Sequence, residues 1–369
     1  MIAGGGVAAL EALLVLRELA EERVQIDVIA PNTEFVYRPL EFAALFRDER
    51  VRRFDLRRIV ADSGATLVPD RLEAVWPDAD TAVTSGGRKL RYDSMLIGVG
   101  TRLRVAVPGA ITVAAPGFRQ DFARLLEDVQ AGLARRVVFA APGGAGWLLP
   151  LYELALMTAD RLDELGTAAD LTIVTPEGTP LEVFGADASK EVEGLLAQRG
   201  IELLTEHWPI GYDSHGVITS SELIAADRAI ALPAMSGPAV HGLPASPGGF
   251  IPTDAHGRVI GQERIYAAGD GTAFPIKQGG LAAQQADAAA SAIAAAAGAD
   301  VEPKPFEPVL RGLLLTGHEP HYLRADLTDE SDSGAAAERP LWWPAAKVAA
   351  RNLAPYLAAR PGLELRTTT

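Results

Sequence analysis

The chain opens Met1-Ile2-Ala3-Gly4-Gly5-Gly6-Val7-Ala8-Ala9, and this stretch decides the fold class. Gly4, Gly6 and Ala9 match the spacing G-x-G-x-x-(G/A). In that pattern the first glycine permits a tight turn out of a strand, and the second lets the backbone approach a pyrophosphate. The small third residue lets the next helix pack closely on the sheet. The turn is therefore predicted to bind a dinucleotide at the N-terminus of that helix.

The flanks of this turn support a βαβ unit with two departures from the usual pattern. Apolar residues recur at helical spacing after the turn, and residues 24–29 are predicted to form a second parallel strand. No acid follows Ile29 directly, so the usual ligand of an adenosine ribose is missing, and Asn32 or Glu34 is the alternative. Only three residues precede Gly4, so the first strand is short or the natural start lies upstream.

Length, charge and cysteine content limit the function classes. The 369 residues suffice for two or three domains. The net charge of −14 repels phosphate backbones, which excludes nucleic acid as a partner. The absence of cysteine excludes disulfide frameworks, thiolate metal sites and redox dithiols, and no metal site is predicted. Neither a secretory signal nor a membrane span is recognisable, which predicts a cytoplasmic protein.

A second motif lies far along the chain. The segment Ile265-Tyr266-Ala267-Ala268-Gly269-Asp270-Gly271-Thr272 resembles the second FAD motif of the pyridine-nucleotide-disulfide-type flavoproteins. The resemblance implies that Gly269 and Asp270 bind FAD, with the aspartate on the ribityl chain. Residues 277–287 resemble the helix whose N-terminus points at the flavin pyrimidine edge. That likeness implies FAD contacts from Gln278 and Gly279, and stabilisation of the reduced flavin by Lys277.

A third match completes the predicted architecture. Residues 92–102 are similar to the family's strand-plus-A-T-G segment, of which only Gly100 is kept. The resemblance implies an α/β fold with two Rossmann-like βαβ domains, the second inserted in the first. The predicted FAD-binding domain is discontinuous and consists of residues 1–104 and 233–300. The inserted NAD(P)-binding-like domain is residues 105–232, and a C-terminal interface segment is residues 301–369.

Whether the inserted domain binds NAD(P)H stays open at this point. Its glycine loop contains Gly144 and Gly146, but the third position of the pattern is Leu149, which is too bulky for close helix–strand packing. Trp147 is expected to fill the space of a pyrophosphate. At the end of the next strand, Glu177 is the one nearby acid for a ribose. The alternative is a domain kept for packing and for shielding the flavin.

The segment Phe35-Val36-Tyr37-Arg38-Pro39-Leu40 points to one branch of the family. It resembles the aromatic-x-x-Pro-Leu turn of sulfide:quinone oxidoreductases and type II NADH dehydrogenases, which implies that Arg38 and Pro39 lie at the FAD site. The sulfide enzymes carry sulfur on cysteines, and this chain has none. That chemistry is excluded, so transfer of hydride or electrons through the flavin alone remains.

Residues 339–369 are basic and contain two adjacent tryptophans, Trp342 and Trp343. Their basic residues are Arg339, Lys347, Arg351, Arg360 and Arg366. Such a segment on an acidic body is typical of peripheral docking at the inner face of a membrane. The alternative is a tail that packs over the flavin domain or over the partner in a homodimer. On the inserted domain, Glu153 is expected to be an exposed helix residue or to reach the flavin face.

Three functions are compatible with these features. The leading one is an FAD-dependent oxidoreductase that passes electrons or hydride from a small reduced donor, with NAD(P)H as one candidate, to a quinone or similar small acceptor. The first alternative is an NAD(P)H-dependent reductase of a soluble protein or small electrophile. The second is a flavin-binding protein without turnover.

Overall fold

The fold is built around two parallel sheets, each with helices against it. The computed structural model describes residues 1–40, 43–46, 51–328 and 334–365. The first sheet has five parallel strands in the order Ile265–Ala267, Met95–Ile97, Ile2–Ala3, Asp27–Ile29 and Thr66–Val68. Its helices are Val7–Ala20, Leu56–Asp62 and Gly279–Ala296.

The second sheet is also five-stranded and parallel. Its strands follow the order Ile111–Thr112, Arg228–Ala231, Arg136–Ala140, Asp170–Val174 and Glu202–Leu204. Its helices are Phe118–Gln130, Leu149–Glu164 and Ala186–Gln198. All of its strands fall in the chain between strands of the first sheet. The predicted α/β fold, with one Rossmann-like unit inserted in another, is confirmed, whereas the domain boundaries stay a prediction.

Short antiparallel elements complete the two units. The first unit carries the strands Leu72–Trp76, Thr81–Thr84 and Lys89–Arg91, and the hairpin Glu34–Val36 with Arg53–Asp55. The second carries Pro209–Asp213, Gly216–Thr219 and Leu223–Ala225. The chain passes between the units through a pair of antiparallel strands, Arg102–Arg104 and Ala234–Ser236. The short helices are Ala43–Phe46 and Leu353–Ala358.

The first strand is as short as its sequence predicts, yet it lies at the centre of the first sheet. Ile2 and Ala3 pair with Val28 and Ile29 on one side, and with strand Met95–Ile97 on the other. Both side chains of the strand are buried. A central position between two partners compensates for the small number of residues, because every backbone group of the strand finds a partner.

The C-terminal segment forms a separate antiparallel sheet that joins both units. Its strands are Val309–Leu314, His321–Asp326 and Ala335–Ala337. A Cβ on Gly312 would lie 2.8 Å from a Leu149 methyl and 2.6 Å from the Phe184 ring, so this strand packs directly on the inserted unit. None of the helices in the described ranges is long and apolar enough to cross a bilayer.

Candidate functional site

The N-terminal glycine turn has the shape that its sequence predicts. Gly4 has a φ of +132°, and a Cβ there would lie 2.2 Å from the carbonyl oxygen of Gly98. The turn therefore admits only glycine at this position. A Cβ on Gly6 would meet nothing within 4 Å, so its backbone faces open space. Ala9 is buried and packs against Gly98. A Cβ added to Gly98 would lie 3.4 Å from the Cβ of Ala9.

The helix that follows presents a free N-terminus to this open space. Gly6 is the N-cap of helix Val7–Ala20, and no side chain caps the helix. The first N–H groups of a helix have no partner within the helix, and they carry a partial positive charge. An anion at Gly6 would therefore meet unpaired donors without a side chain in between. The turn fits a pyrophosphate.

The distant Gly269-Asp270 turn lies against the same helix. Gly269 has a φ of +85°, and a Cβ there would lie 3.0 Å from Cβ of Ala8 and 3.4 Å from Cβ of Ala282. Gly100 is close as well, since its carbonyl oxygen lies 3.0 Å from the Cβ position of Gly271. Two motifs separated by more than 250 residues therefore meet at the N-termini of two neighbouring helices.

Two adjacent glutamines of helix Gly279–Ala296 hold this arrangement from opposite sides. Gln285 accepts hydrogen bonds from the Gly269 N–H at 2.6 Å and from the Thr272 hydroxyl at 3.3 Å. Gln284 turns the other way, and its amide pairs with the N–H and the carbonyl of Val309, both at 2.9 Å. One glutamine shapes the aspartate turn, and the other binds the edge of the C-terminal sheet.

Asp270 is half-buried, and none of the described residues donates a hydrogen bond to its carboxylate. Burial raises its pKa, against the opposing charges of Lys277 and Arg38. A desolvated carboxylate without donors can be satisfied by ligand hydroxyl groups. The carboxylate fits the ribityl chain of FAD. Arg38 is exposed and Pro39 half-buried beside this end of the site.

The Lys277 ammonium lies at the junction of the two units. It donates to the carbonyl of Thr272 at 2.6 Å and to that of Phe274, and it lies 3.9 Å from the centre of the Phe250 ring. Burial lowers its pKa to about 8, with Asp270 opposing. Because two carbonyls already accept from the ammonium, the structure gives Lys277 a role in shaping the loop. Its influence on a flavin stays a prediction.

The N-terminus of the predicted flavin helix is capped by Gln278. The side-chain oxygen of Gln278 accepts from the Leu281 N–H at 2.8 Å, and its amide nitrogen donates to the Arg311 carbonyl at 3.0 Å. This side chain is therefore engaged inside the protein. A Cβ on Gly279 would lie 3.0 Å from a methyl of Val348, so the C-terminal segment touches the first residue of the helix.

The two alternatives for the missing ribose ligand behave differently. Glu34 forms an ion pair with Arg53 at 3.0 Å on the neighbouring strand. Asn32 is exposed beyond the end of strand Asp27–Ile29. Of the two, Asn32 is the side chain that remains available to an adenosine.

The glycine loop of the inserted unit is filled by other parts of the chain. A Cβ on Gly146 would lie 2.4 Å from Cγ of Lys277, and the Gly146 carbonyl accepts from the Lys277 N–H at 2.9 Å. Trp147 stacks edge-on against Phe184 with 5.9 Å between ring centres. Gly144 faces open space, with a φ of +81°. The second glycine of this loop thus packs on the first unit instead of leaving room for a pyrophosphate.

Glu177 is an internal residue. Its carboxylate accepts from the Tyr152 hydroxyl at 2.6 Å and from the Thr175 hydroxyl at 3.0 Å. Burial raises its pKa to about 7, against the lowering effect of these two hydrogen bonds. A ribose ligand should face the cleft, whereas this side chain is 7% exposed. The contacts of Glu177 therefore do not fit the ribose of a second nucleotide.

Sequence reasoning missed a buried ion pair near the flavin helix. Glu153 is fully buried, so the expectation of an exposed helix glutamate is wrong. Its Oε1 accepts from the Lys347 ammonium and from the Leu315 N–H, and its Oε2 has no partner among the described residues. Burial raises the pKa of Glu153, and Lys347 opposes the shift. Apolar residues on all sides of Glu153 in its helix were the available signal.

Residues 346–353, here called the C-terminal strap, link this pair to the first unit. The Val348 N–H donates to the Tyr37 hydroxyl at 3.1 Å. The N–H groups of Asn352 and Leu353 donate to the two oxygens of Glu11 at 2.7 and 2.6 Å. The strap therefore crosses from the inserted unit to two helices of the first unit, Val7–Ala20 and Gly279–Ala296.

Three of the five basic residues of the tail contact other residues of the protein, and only Lys347 does so in the interior. Besides Lys347, Arg351 pairs with Glu18 at 3.0 Å, and the Arg360 guanidinium lies 4.1 Å from the Tyr356 ring centre. Arg366 lies outside the described residues. Trp343 is 90% exposed. Membrane contact through this segment stays a prediction.

Known proteins share this sequence pattern and this fold. A family model described as pyridine nucleotide-disulphide oxidoreductase matches residues 1–296. The sulfide-quinone reductase of Aquifex aeolicus (strain VF5) is 26% identical over 213 residues, which are 55% of this chain and 49% of that protein. The alignment thus spans about half the length of this curated relative.

Two solved structures show the same fold. The sulfide:quinone oxidoreductase from the hyperthermophilic bacterium Aquifex aeolicus superposes with a TM-score of 0.82 at 20% identity, covering 91% of this chain and 86% of that chain. A ferredoxin reductase for the CYP199A2 system from Rhodopseudomonas palustris gives 0.66 at 17% identity, covering 88% and 80%.

Proposed function

This chain belongs to the pyridine nucleotide-disulphide oxidoreductase family, and from that premise we propose that it is an FAD-dependent oxidoreductase. It passes electrons from a small reduced donor to a quinone or a similar small acceptor. The proposal combines the geometry of the glycine turn and Asp270 with the buried pair of Glu153 and Lys347.

The residues of the first unit would hold FAD along its length. The backbone at Gly6 and the helix behind it would bind the pyrophosphate, and the Asp270 carboxylate would accept from ribityl hydroxyls. The ring would lie toward the N-terminus of helix Gly279–Ala296. Bound FAD would supply electron or hydride transfer, which no side chain of this cysteine-free chain supplies.

The buried pair of Glu153 and Lys347 is the observation that favours a quinone-like acceptor. Reduction of a quinone to a quinol takes up two electrons and two protons, so a transferred hydride, which carries both electrons and one proton, would leave one further proton to be supplied. The Lys347 ammonium carries a transferable proton, and the Glu153 carboxylate holds the ammonium in place. Val348, the next residue, contacts Gly279 at the start of the predicted flavin helix. A proton source is therefore available beside the predicted flavin ring, shielded from water.

The donor is proposed to be neither sulfide acting through cysteine nor a nicotinamide in the second glycine loop. The relative from Aquifex aeolicus is named for sulfide and quinone. This chain has no cysteine to carry sulfur. Gly146 and Glu177, the residues that a second dinucleotide would need, are engaged in internal contacts. The alternative, an NAD(P)H-dependent reductase, requires that loop to open.

Replacement of Glu153 by glutamine tests the acceptor half of the proposal. In E153Q we expect turnover with a soluble quinone to fall about 100-fold or more, because the Lys347 ammonium loses the carboxylate that positions it and a positioned proton-transfer group usually contributes that much. The rate at which the donor bleaches the flavin should stay the same. Both half-reactions are followed by flavin absorbance in anaerobic stopped flow.

Glu164→Gln is the matched control, because Glu164 lies on the same helix but pairs with Arg161 at the surface. It should leave both half-reactions unchanged. Equal quinone turnover in E153Q and wild type, with flavin content and melting temperature preserved, would remove the buried pair from the mechanism. Fast bleaching of the wild type by NADH or NADPH would establish the alternative instead.

A further inference from the structure

Two arginines face each other in the C-terminal sheet. Arg311 and Arg324 are directly opposite in the antiparallel register of strands Val309–Leu314 and His321–Asp326. Residues in that relation share one face of the sheet, with Cβ atoms about 5 Å apart. Leu310 and Gly312, their neighbours in the first of these strands, are buried on the other face, toward the inserted unit. Both arginines are half-buried.

No carboxylate among the described residues lies within 4 Å of either guanidinium, although the chain has 48 acidic residues against 34 basic ones. Asp326, the next acid on the same face, lies opposite Val309 and accepts hydrogen bonds from the N–H and hydroxyl of Thr328. Burial and the neighbouring Arg324 lower the pKa of Arg311. Like charges in directly opposed positions destabilise a sheet, so the pair has a cost that nothing in the described chain offsets.

We propose that Arg311 and Arg324 form a binding site for a doubly charged oxyanion of the phosphate monoester class. Two planar guanidinium groups at this spacing can each donate a pair of hydrogen bonds to one tetrahedral anion. The backbone supports the site, since the Arg311 carbonyl accepts from Gln278, which caps the neighbouring helix. Two residues before Arg324 in the same strand, the buried Tyr322 packs edge-on against the half-buried Trp342, with ring centres 5.1 Å apart. The bound group would therefore sit beside this aromatic pair.

Charge reversal at Arg324 distinguishes two possibilities: that the two arginines bind an anion, or that the fold only tolerates their repulsion. In R324E an opposite charge faces Arg311, so the melting temperature without phosphate should rise by about 1–3 °C. Titration calorimetry with inorganic phosphate should show binding to the wild type. In R324E, and in the milder variant R311Q, that binding should be weaker by about 10- to 100-fold, because charge-assisted hydrogen bonds are lost. Ionic strength is matched with sodium chloride.

Arg104→Glu is the control, because it makes the same change of net charge on an exposed strand of a different sheet. It should bind phosphate like the wild type. A second arm uses phosphatidylcholine vesicles with and without phosphatidic acid, which separates a lipid headgroup from a free ligand. Binding in either arm that R324E and R311Q weaken by about 10-fold or more supports the site. Binding in neither arm, or binding that both variants retain, overturns it.

Discussion

The two glycine loops of this chain have similar spacing and opposite use. In the first, Gly4 is closed by the Gly98 carbonyl, and Gly6 faces open space at a free helix N-terminus. In the second, Gly144 faces open space, and Gly146 is filled by the Lys277 side chain. Only the first loop leaves room where a pyrophosphate should approach. A glycine pattern therefore identifies a close backbone approach, but the approaching group can be another part of the protein.

The acid predicted to bind a nucleotide with each loop, Asp270 for the first and Glu177 for the second, differs in the same way. Asp270 receives no hydrogen bond from the described residues, whereas Glu177 accepts two from hydroxyl groups inside its own domain. A carboxylate without donors is suited to a ligand, and a saturated one is suited to packing. In the proposed enzyme, this loop and this acid would bind FAD in the first unit.

Alanine in place of the first glycine of each loop should give the largest difference. Gly4→Ala combines a positive φ with a backbone clash, so we expect a loss of about 3 kcal/mol or more of folding free energy and loss of flavin. Gly144→Ala has the positive φ without the clash, so it should cost about 1 kcal/mol and keep the flavin. Denaturant unfolding and visible absorbance measure both. Equal losses in the two variants would contradict the contrast between the loops.

Removal of the two acids should give an intermediate difference. Asp270→Ala removes the proposed ribityl contact, and we expect FAD to bind about 10- to 100-fold more weakly. Glu177→Gln should leave FAD affinity unchanged, because its contacts are internal. The dissociation constants are measured by the fluorescence of released flavin. Full retention of FAD by the Asp270 variant would mean that the aspartate does not touch the cofactor.

The smallest expected effect is a pH dependence from Glu177. Its pKa is raised from 4.5 to about 7, mainly by burial. Because the folded-state value exceeds the unfolded one, this group's stabilisation is complete at low pH and is lost as pH rises through about 7. The free energy of unfolding should fall by roughly 1 kcal/mol between about pH 6 and about pH 8 from this group.

In E177Q, the free energy of unfolding should no longer fall with pH by the amount that Glu177 contributes. Any pH dependence from Asp287, whose pKa is also raised to about 7, should remain. Urea unfolding of both proteins across this pH range gives the comparison. If the free energy of unfolding changes equally with pH in both proteins, Glu177 does not titrate in this pH range.

The sequence predicts the parts of the fold that depend on local backbone requirements. Gly4 and Gly269 need positive φ and close neighbours, and such positions leave a glycine in the sequence. Parallel strands with helices between them follow from apolar periodicity. These two signals suffice for the first βαβ unit, whereas the inserted second unit and the place of Asp270 beside the first turn are implied by resemblance to the flavoprotein family.

Contacts between distant segments could not be predicted in the same way. Glu153 and Lys347 are 194 residues apart, and although the apolar neighbours of Glu153 in its helix indicate burial, nothing local identifies Lys347 as its partner. The opposite directions of Gln284 and Gln285 depend on where the C-terminal sheet docks. The filling of Gly146 depends on the position of Lys277 in the other unit. Each of these requires the packed structure, since no local rule fixes the partner.

A crystal structure of the chain with FAD and excess NADH tests the central claim most directly. The account predicts one bound FAD, with its pyrophosphate on the backbone at Gly6 and a ribityl hydroxyl on the Asp270 carboxylate, and no nucleotide at Gly146. A flavin that contacts only one of Gly6 and Asp270, or a nicotinamide nucleotide bound at Gly146, would contradict the account.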